Sequence, residues 1–214
     1  MNHNTPPHRT RVKFCGITRI EDALHAASIG VDAIGLVFYA KSPRHVSIDR
    51  ARAIAEVLPA FVTCVGLFVN ADYSEIREIL NQVKIDLLQF HGDETAAECE
   101  QYDRPYIKAV RMCEGLDFVQ ITEAYRNASG LLLDTWEQNS FGGTGKSFDW
   151  SMVPNQSPLP IILAGGLNPD NIEQAIRITQ PYAVDVSGGI ESAKGIKDRD
   201  KMNAFIRGVN SATS

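Results

Sequence analysis

The amino-acid sequence predicts one α/β domain, a closed (β/α)8 TIM barrel, and three observations favour this fold. Eight short apolar runs alternate with amphipathic helical patterns along the 214 residues. The runs are almost continuously apolar, as expected for parallel strands that are buried on both faces. No linker divides the chain, and about 25 residues per unit suits such a barrel. An open doubly wound sheet is the alternative, but it usually has only about five or six strands.

Each predicted strand is a short run rich in β-branched and other apolar residues. In chain order the strands cover residues 12–16, 33–38, 62–69, 87–90, 106–110, 130–133, 160–163 and 183–186. The predicted helices lie between them, with one apolar face each. Apolar spacing of i, i+3, i+4 and i+7 begins at Ile20, Ala51, Ile76 and Met202, and a shorter stripe begins at Ile172.

The remaining helices are less regular, and three helix starts carry local signals. Segments 95–102 and 115–128 show weak periodicity, and the sixth helix is expected to be a single turn near residues 149–153. Thr18 and Asp72, each with a glutamate three residues later, have the spacing of a capping box. Asn168 followed by Pro169 predicts an N-cap with proline at the first helical position.

Composition excludes several classes of protein. The net charge of −5, from 21 Lys and Arg against 26 Asp and Glu, argues against a nucleic-acid partner. No apolar run approaches the ~18 residues of a membrane-spanning helix, so no membrane partner is expected. The four cysteines lack CxxC spacing, which predicts reduced thiols, no metal site and a cytoplasmic location. Residues 1–11 are expected to be a flexible N-terminal tail and residues 12–210 the catalytic barrel.

Two residues at strand ends are the candidates for catalysis, because barrel chemistry lies at the carboxyl ends of the strands. Cys15 ends the first strand in VKFCGIT, where it is either a catalytic thiol or a small buried residue. Asp134 ends the sixth strand in GLLLDT, and a carboxylate after four apolar residues is costly unless it has a purpose. We therefore favour a functional Asp134 over a loop-orienting one.

Glycine-rich turns follow the last two strands. LAGGLNPDN and DVSGGIE contain Gly165, Gly166, Ser187, Gly188 and Gly189. Consecutive glycines let backbone N–H groups approach an anion, and the helix predicted after the first turn adds a positive dipole end. Barrels often bind phosphate with these two loops, so the pair predicts a phosphate site.

Three further polar residues belong to the candidate site. Arg44, in the loop after the second strand, could clasp a substrate carboxylate, although a solvated arginine is the alternative. His91 ends the fourth strand and is either a substrate contact or a structural histidine. Asp185 lies within the eighth strand, where support of its neighbours and direct substrate contact are equally plausible.

The segment FGGTGKSFDW resembles a lid with glycine hinges at Gly142, Gly143 and Gly145. It is not a P-loop, because the GxxxxGK[ST] pattern requires a glycine six residues before Lys146, where Ser140 stands.

Eight segments together resemble phosphoribosylanthranilate isomerases of tryptophan biosynthesis. They are KFCGIT, GLVFYAKSPRHV, VGLFVN, LQFHGDE, LLLDT, FGGTGKSFDW, LAGGLNPDN and AVDVSGGIE. They run in family order over nearly the whole chain after residue 11.

The resemblance implies an isomerase of the aldose–ketose type with no cofactor, which acts on a small phosphosugar. The reaction would be the Amadori rearrangement of phosphoribosylanthranilate to a (carboxyphenylamino)deoxyribulose phosphate. In this sequence Cys15 would be the general base, Asp134 the general acid and Arg44 the carboxylate ligand. Asp134 must then be protonated at first, and positive charge such as Lys13 is expected to lower the pKa of Cys15. The sequence does not decide whether the protein is a monomer or a homodimer.

Two kinds of alternative stay open from the residues alone. Another phosphosugar barrel is one, but a histidine-pathway aminoaldose isomerase would be expected to end the first strand with Asp rather than Cys15. Indole-glycerol-phosphate synthase would need a Lys/Glu set that is not found at matching places. A non-catalytic phosphosugar-binding barrel is the other kind, and it would have no reason to place Cys15 and Asp134 at strand ends.

Overall fold

The computed structural model describes residues 9–135, 149–154 and 156–212. Eight parallel strands form a closed barrel in which each strand pairs with the next and the last pairs with the first. The predicted (β/α)8 fold is confirmed. The strands are β1 Arg11–Cys15, β2 Ala33–Val37, β3 Thr63–Phe68, β4 Leu87–Phe90, β5 Tyr106–Met112, β6 Gly130–Thr135, β7 Ile161–Leu163 and β8 Ala183–Val186.

Helices surround the barrel between successive strands. They are α1 Ile20–Ser28, α2 Ile48–Glu56, α3 Tyr73–Gln82, α4 Ala96–Cys99, α5 Phe118–Ala124, α6 Ile172–Thr179 and α7 Arg199–Ala212. Between β6 and β7 the described residues contain one 3-10 turn, Trp150–Met152, as the weak periodicity predicts. None of the helices in the described ranges combines the length and hydropathy needed to cross a bilayer. A short antiparallel hairpin, β9 Glu191–Ala193 and β10 Ile196–Lys197, follows β8 and was not predicted.

The capping boxes predicted at Thr18 and Asp72 are not formed. Helix α1 has Arg19 as its N-cap, and the Thr18 hydroxyl instead donates to the Gly195 carbonyl at 2.5 Å. Asp72 is the N-cap of α3, but its side chain makes no capping hydrogen bond. The complete capping box lies at α4, where Thr95 and Glu98 exchange hydrogen bonds.

The start of α6 also differs from the prediction. The helix begins at Ile172, so Pro169 lies in a preceding turn rather than in its first helical position. The Asn168 side chain accepts from the backbone N–H groups of Asp170 and Asn171 and so stabilises that turn. The positive end of the α6 dipole is therefore farther from the glycine pair than the sequence indicates.

Strand alternation separates two apolar cores. Outward side chains such as Val12 and Phe14 of β1 pack against the helices in the larger core. Phe205 of α7 meets Phe14 edge-on, with ring centroids 6.0 Å apart. The smaller core fills the barrel interior with Ile107, Ala109, Leu132, Ile162, Ala164 and Ala183. Above this layer the inward side chains become polar, which prepares a site at the carboxyl end of the barrel.

The N-terminal segment joins the barrel slightly earlier than predicted. Strand β1 begins at Arg11, and Thr10 is buried. The Arg9 guanidinium donates to both carboxylate oxygens of Asp32, at 2.9 and 2.5 Å. Residues 9–11 are thus held against the barrel, and residues 1–8 of the predicted tail lie outside the described residues.

Candidate active site

A cavity of about 310 Å³ opens at the carboxyl ends of the strands. The structure brings together every described residue that the sequence singled out for the site. They are Cys15, Arg44, His91, Asp134, Gly165, Gly166, Asp185, Ser187, Gly188 and Gly189. The predicted lid glycines Gly142, Gly143 and Gly145 lie outside the described residues. The sequence therefore predicted correctly that these residues lie together, while the role of each residue remains a prediction.

Strands β1 and β8 bring Cys15, Lys13 and Asp185 together inside the barrel. Lys13 and Cys15 are two residues apart, so strand alternation points both side chains inward. Lys13 pairs in register with Asp185, and its Nζ donates to Asp185 Oδ1 at 2.9 Å. Burial alone would lower the pKa of Lys13, but the charges of Asp185 and Cys15 raise it overall. Lys13 is therefore a buried ammonium beside the thiol.

The expected lowering of the Cys15 pKa is wrong. Burial raises the pKa of the thiol, and the nearby Asp185 carboxylate raises it as well. Lys13 and Lys197 act in the predicted direction, but their charges do not outweigh burial. The sequence reveals the neighbouring lysine but not the depth of the thiol, which is only 6% exposed. The protein surroundings of Cys15 consequently favour the thiol over the thiolate.

Asp134 lies at the end of a chain of buried polar groups. Its Oδ1 accepts from the backbone N–H of Thr135 at 2.8 Å, and its Oδ2 lies 3.1 Å from His91 Nε2. His91 Nδ1 in turn lies 2.9 Å from Gln89 Nε2. When the Gln89 amide donates to Nδ1, the hydrogen of His91 is on Nε2 and points to Asp134. His91 thus contacts the candidate acid as well as the cavity.

Gln89 is a site residue that the sequence did not reveal. It is completely buried and lines the cavity two residues before His91, on the same face of β4. The glutamine within the apolar run LLQF could have indicated this role, because a buried amide requires hydrogen-bond partners.

The two glycine turns pack against each other through their backbones. Gly165 and Gly166 have φ values of +80° and +67°, a region that only glycine adopts without strain. A Cβ on Gly189 would lie 1.9 Å from the Leu167 carbonyl oxygen. Glycine is therefore required at Gly189 by close approach, and the turns after β7 and β8 form one surface of backbone groups. This surface is suited to bind a phosphate through N–H groups.

Arg44 is held within the site and is not a solvated loop residue. Its side chain is 11% exposed, and its Nε and Nη2 donate to Glu191 at 2.7 and 2.8 Å. A Cβ on Gly16 would lie 2.5 Å from Arg44 Cδ, and Gly16 has a φ of +72°. The glycine after Cys15 thus leaves room for the arginine beside the thiol.

The cavity has an apolar side opposite the glycine turns. Val37, Leu67 and Val69 form a small cluster with Cys15, and Tyr39 packs against it. These side chains come from β2, β3 and the loops that follow them. A ligand with an anionic end and an aromatic end fits this division, with the anion at the glycine turns and the ring at the apolar side.

The other cysteines and the acidic residues suggest no second chemistry. Cys64 and Cys99 lie in the outer core, and burial raises the pKa of each thiol to about 12. Across the ranges that the structure describes, no group of three or more His, Cys, Asp or Glu side chains could hold a metal ion. The chemistry of this cavity is that of a thiol, a carboxyl group and anion-binding groups.

Residues 12–208 match the family model of N-(5'-phosphoribosyl)anthranilate (PRA) isomerase. The chain belongs to this family. Among similar proteins, the N-(5'-phosphoribosyl)anthranilate isomerase of Pseudomonas fluorescens is 62% identical over 199 residues, which are 93% of this chain and 95% of the relative. That of Pseudomonas aeruginosa is 59% identical over 201 residues, 94% of this chain and 95% of the relative.

Solved structures of PRA isomerases share the architecture. The enzyme from Thermotoga maritima superposes with a TM-score of 0.86 at 39% identity, covering 94% of this chain and 99% of its own. A PRA isomerase in complex with reduced 1-(o-carboxyphenylamino)-1-deoxyribulose 5-phosphate gives 0.84 at 39% identity with the same coverage. The family resemblance predicted from eight sequence segments is confirmed.

Proposed function

We propose that this chain catalyses the Amadori rearrangement of N-(5'-phosphoribosyl)anthranilate by general acid–base catalysis, with Asp134 as the acid and Cys15 as the base. The single observation that carries this mechanism is that both side chains line one cavity with the glycine turns. Strands β1 and β6 are three strands apart around the barrel, so the two groups approach a bound sugar from different sides. Membership of the PRA isomerase family supports the substrate.

The substrate has three parts, and the cavity offers a matching surface for each. The phosphate lies at the Gly165–Gly166 turn and at Ser187–Gly189, where backbone N–H groups bind it. The anthranilate ring lies against the apolar side at Val37 and Leu67. Its carboxylate is bound by Arg44, which retains donors on the edge that does not face Glu191. The sugar is thereby held between Asp134 and Cys15.

Asp134 acts first in this proposal. It donates a proton to the ring oxygen of the furanose, and the bond from that oxygen to C1′ breaks. The lone pair of the anthranilate nitrogen forms the C1′=N bond, which gives a cationic Schiff base. His91 and the Thr135 N–H hold the carboxyl group in place from two directions, at 3.1 and 2.8 Å. His91 is therefore a positioning residue for the acid.

Cys15 acts second, as a thiolate whose proton has been released to solvent. It removes the proton from C2′, and the electrons of that bond form the C1′=C2′ double bond of the enolamine, which tautomerises to the ketone. Burial keeps the pKa of the thiol high in the free protein. The cationic Schiff base brings a positive charge next to the sulfur, which favours the thiolate at the step that needs it. The Lys13 ammonium also lowers the pKa of the thiol and so stabilises the thiolate.

Conversion of the substrate tests the proposal directly. Phosphoribosylanthranilate is fluorescent, and its conversion is followed as loss of that fluorescence after addition of the purified chain. We expect turnover without any added metal or cofactor. Retained fluorescence at micromolar protein would refute the activity, and a histidine-pathway aminoaldose as the preferred substrate would refute the assigned specificity.

A further inference from the structure

A buried ionic cluster lies beside the cavity, and two of its four members, Glu191 and Lys197, have no role in the mechanism above. It consists of Arg44, Glu191, Lys197 and Ser187, and we refer to it as the hairpin cluster because Glu191 and Lys197 belong to the β9–β10 hairpin. The side chains of Glu191 and Lys197 are 6% and 0% exposed. Neither residue lines the cavity, so neither can bind the substrate itself.

Glu191 occupies one edge of the Arg44 guanidinium. Its two oxygens accept from Nε and Nη2, the side-on arrangement of an arginine–carboxylate pair. A guanidinium has five N–H donors, and this pair uses two of them. The end-on edge, with Nη1 and the second hydrogen of Nη2, can then bind a second carboxylate. Glu191 therefore fixes the plane in which Arg44 presents its remaining donors.

Lys197 connects this pair to the phosphate turn. Its Nζ donates to Glu191 Oε1 at 2.9 Å, to the Ser187 carbonyl at 3.1 Å and to Ser187 Oγ at 3.4 Å. Three acceptors match the three donors of an ammonium group. The Lys197 backbone is fixed as well, because its N–H donates to Asp22 of α1 at 3.2 Å. One buried charge thus holds both Glu191 and the start of the turn after β8.

Stability alone is a poor explanation of such a cluster. Moving ionised groups out of water costs several kcal/mol per ion, and apolar residues of similar volume often stabilise a protein at least as well. Burial lowers the pKa of Lys197 although Glu191 raises it, and this net lowering reflects the cost of burying the charge. Glu191 and Lys197 instead contact the two anion-binding elements of the cavity, Arg44 and the Ser187 turn.

We propose that Glu191 and Lys197 are positioning residues for substrate binding, which join the carboxylate-binding Arg44 and the phosphate-binding Ser187 turn into one rigid unit. The spacing between the two anionic ends of the substrate is set by this unit. The inference rests on the proposed function, since it concerns how that substrate is held. The positions of Asp134 and Cys15 do not depend on Glu191 or Lys197 for hydrogen bonds.

The test compares Lys197→Met and Glu191→Gln with the parent chain. Each variant removes one charge. Glu191→Gln keeps the side-chain length, and Lys197→Met shortens it by one atom. We expect KM for phosphoribosylanthranilate to rise ~10–100-fold in both variants, because a charge-assisted contact is weakened, and kcat of Glu191→Gln to stay within about threefold, because the proton-transfer groups remain. Lys197 also lowers the pKa of Cys15, so kcat of Lys197→Met is compared at alkaline pH, where the thiol is ionised in both proteins. Lys201→Met is the matched control, because Lys201 Nζ donates to the backbone carbonyl of Glu191, at 2.8 Å, and not to its carboxylate. Its KM should change less than twofold.

A double-variant cycle separates positioning from a general effect on folding. Arg44→Ala by itself should raise KM mainly. If Glu191 acts through Arg44, Glu191→Gln should have little further effect on KM in the Arg44→Ala background. An equal effect with and without Arg44, or a fall in kcat and in the unfolding temperature with unchanged KM, would overturn the inference. If Lys197→Met does not fold, Glu191→Gln and the cycle still decide the matter.

Binding of a non-reacting ligand distinguishes this inference from the proposed function. The probe is reduced 1-(o-carboxyphenylamino)-1-deoxyribulose 5-phosphate, and its Kd is measured by titration calorimetry. A parent chain that binds the probe and converts the substrate, with variants whose Kd and KM equal those of the parent, would refute the hairpin cluster alone. A parent chain that neither binds the probe nor converts substrate would refute both.

Discussion

At the scale of single residues, the mechanism makes its sharpest demand on Cys15 and Asp134. Cys15→Ala and Asp134→Asn should each lower kcat at least about a hundredfold, because each removes one proton-transfer group that is worth roughly 10²–10⁴ in rate. KM should change little, since neither residue binds the anionic ends of the substrate. Steady-state kinetics by fluorescence measures both constants. Cys113→Ala and Asp117→Asn, which lie outside the cavity, serve as controls.

A turnover number close to that of the parent chain in either catalytic variant would remove that residue from the mechanism.

The surroundings of Cys15 predict the pH dependence of activity. The base acts as thiolate, and burial raises its pKa, so kcat/KM should increase as the pH rises toward the alkaline range. Lys13 lowers the thiol pKa, so Lys13→Met should move this rising limb to higher pH. The pH–rate profile of the two proteins measures the shift.

Asp185 provides the control for this change. It raises the Cys15 pKa and is left without its ammonium partner in Lys13→Met, so adding Asp185→Asn should reverse part of the shift. An unchanged limb in Lys13→Met would show that Lys13 does not act on the thiol.

Residue types at strand ends were predictable from the sequence, but their partners were not. Cys15 and Asp134 stand out because each interrupts an apolar run where a barrel strand ends. The depth of the thiol depends on Val37, Leu67 and Val69 from other strands. Glu191 contacts Arg44 across 147 positions of the chain, and no local pattern carries that information. The pKa of Cys15 was therefore predicted in the wrong direction.

At the scale of elements, the turn after β7 connects the proposed phosphate site with the proposed acid. A Cβ on Gly165 would lie 2.3 Å from Thr135 Oγ1 and 3.0 Å from Asp134 Oδ1. Gly165→Ala should therefore displace the Asp134 carboxyl group, and kcat should fall about a hundredfold, as a misplacement near 1 Å typically causes. Kinetics and thermal unfolding of the variant are measured together.

Gly30→Ala is the matched control for Gly165→Ala. Gly30 has a similar φ, +88°, but no atom lies within 4 Å of its Cβ position. Both variants carry a backbone strain of roughly 1–2 kcal/mol. Gly165→Ala adds the clash with Thr135, so it should lose more stability than Gly30→Ala, and only Gly165→Ala should lose activity. Equal activity in the two variants would contradict the contact between the turn and the acid.

Element ends were harder to predict than the elements themselves. The β8 strand and the periodic helices follow from local pattern, because burial imposes it directly. Thr18 has the spacing of a capping residue, yet its hydroxyl bonds Gly195 in the hairpin, 177 positions away. The hairpin itself has strands of three and two residues, too short to carry a period.

At the scale of the whole molecule, α7 secures the seam where the barrel closes. Its Phe205 is completely buried and packs on Phe14 of β1, the strand that pairs with β8. Phe205→Ala should lower the free energy of unfolding by about 3–5 kcal/mol, the usual cost of emptying a buried aromatic site. Denaturant unfolding measures the loss. The exposed Arg207→Ala in the same helix should change stability by less than about 0.5 kcal/mol.

If Phe205→Ala were as stable as the parent chain, the last helix would not be needed to hold the closed barrel together.

The topology could be predicted because it depends on the number of apolar runs and on their alternation with helical patterns. Eight apolar runs with intervening helical patterns leave few ways to bury every strand, and closure satisfies the two edge strands. The described residues confirm this order strand by strand. The number of chains in the assembly depends on surfaces whose partners the sequence does not specify, so monomer or homodimer, like the cytoplasmic location, stays a prediction.

The high pKa of the Cys15 thiol has a consequence for the lifetime of the enzyme. Peroxides and alkylating agents attack the ionised sulfur, so a resting protein that keeps its sulfur protonated reacts with them slowly. The general base proposed above can in this way survive oxidants that would inactivate a permanently ionised cysteine.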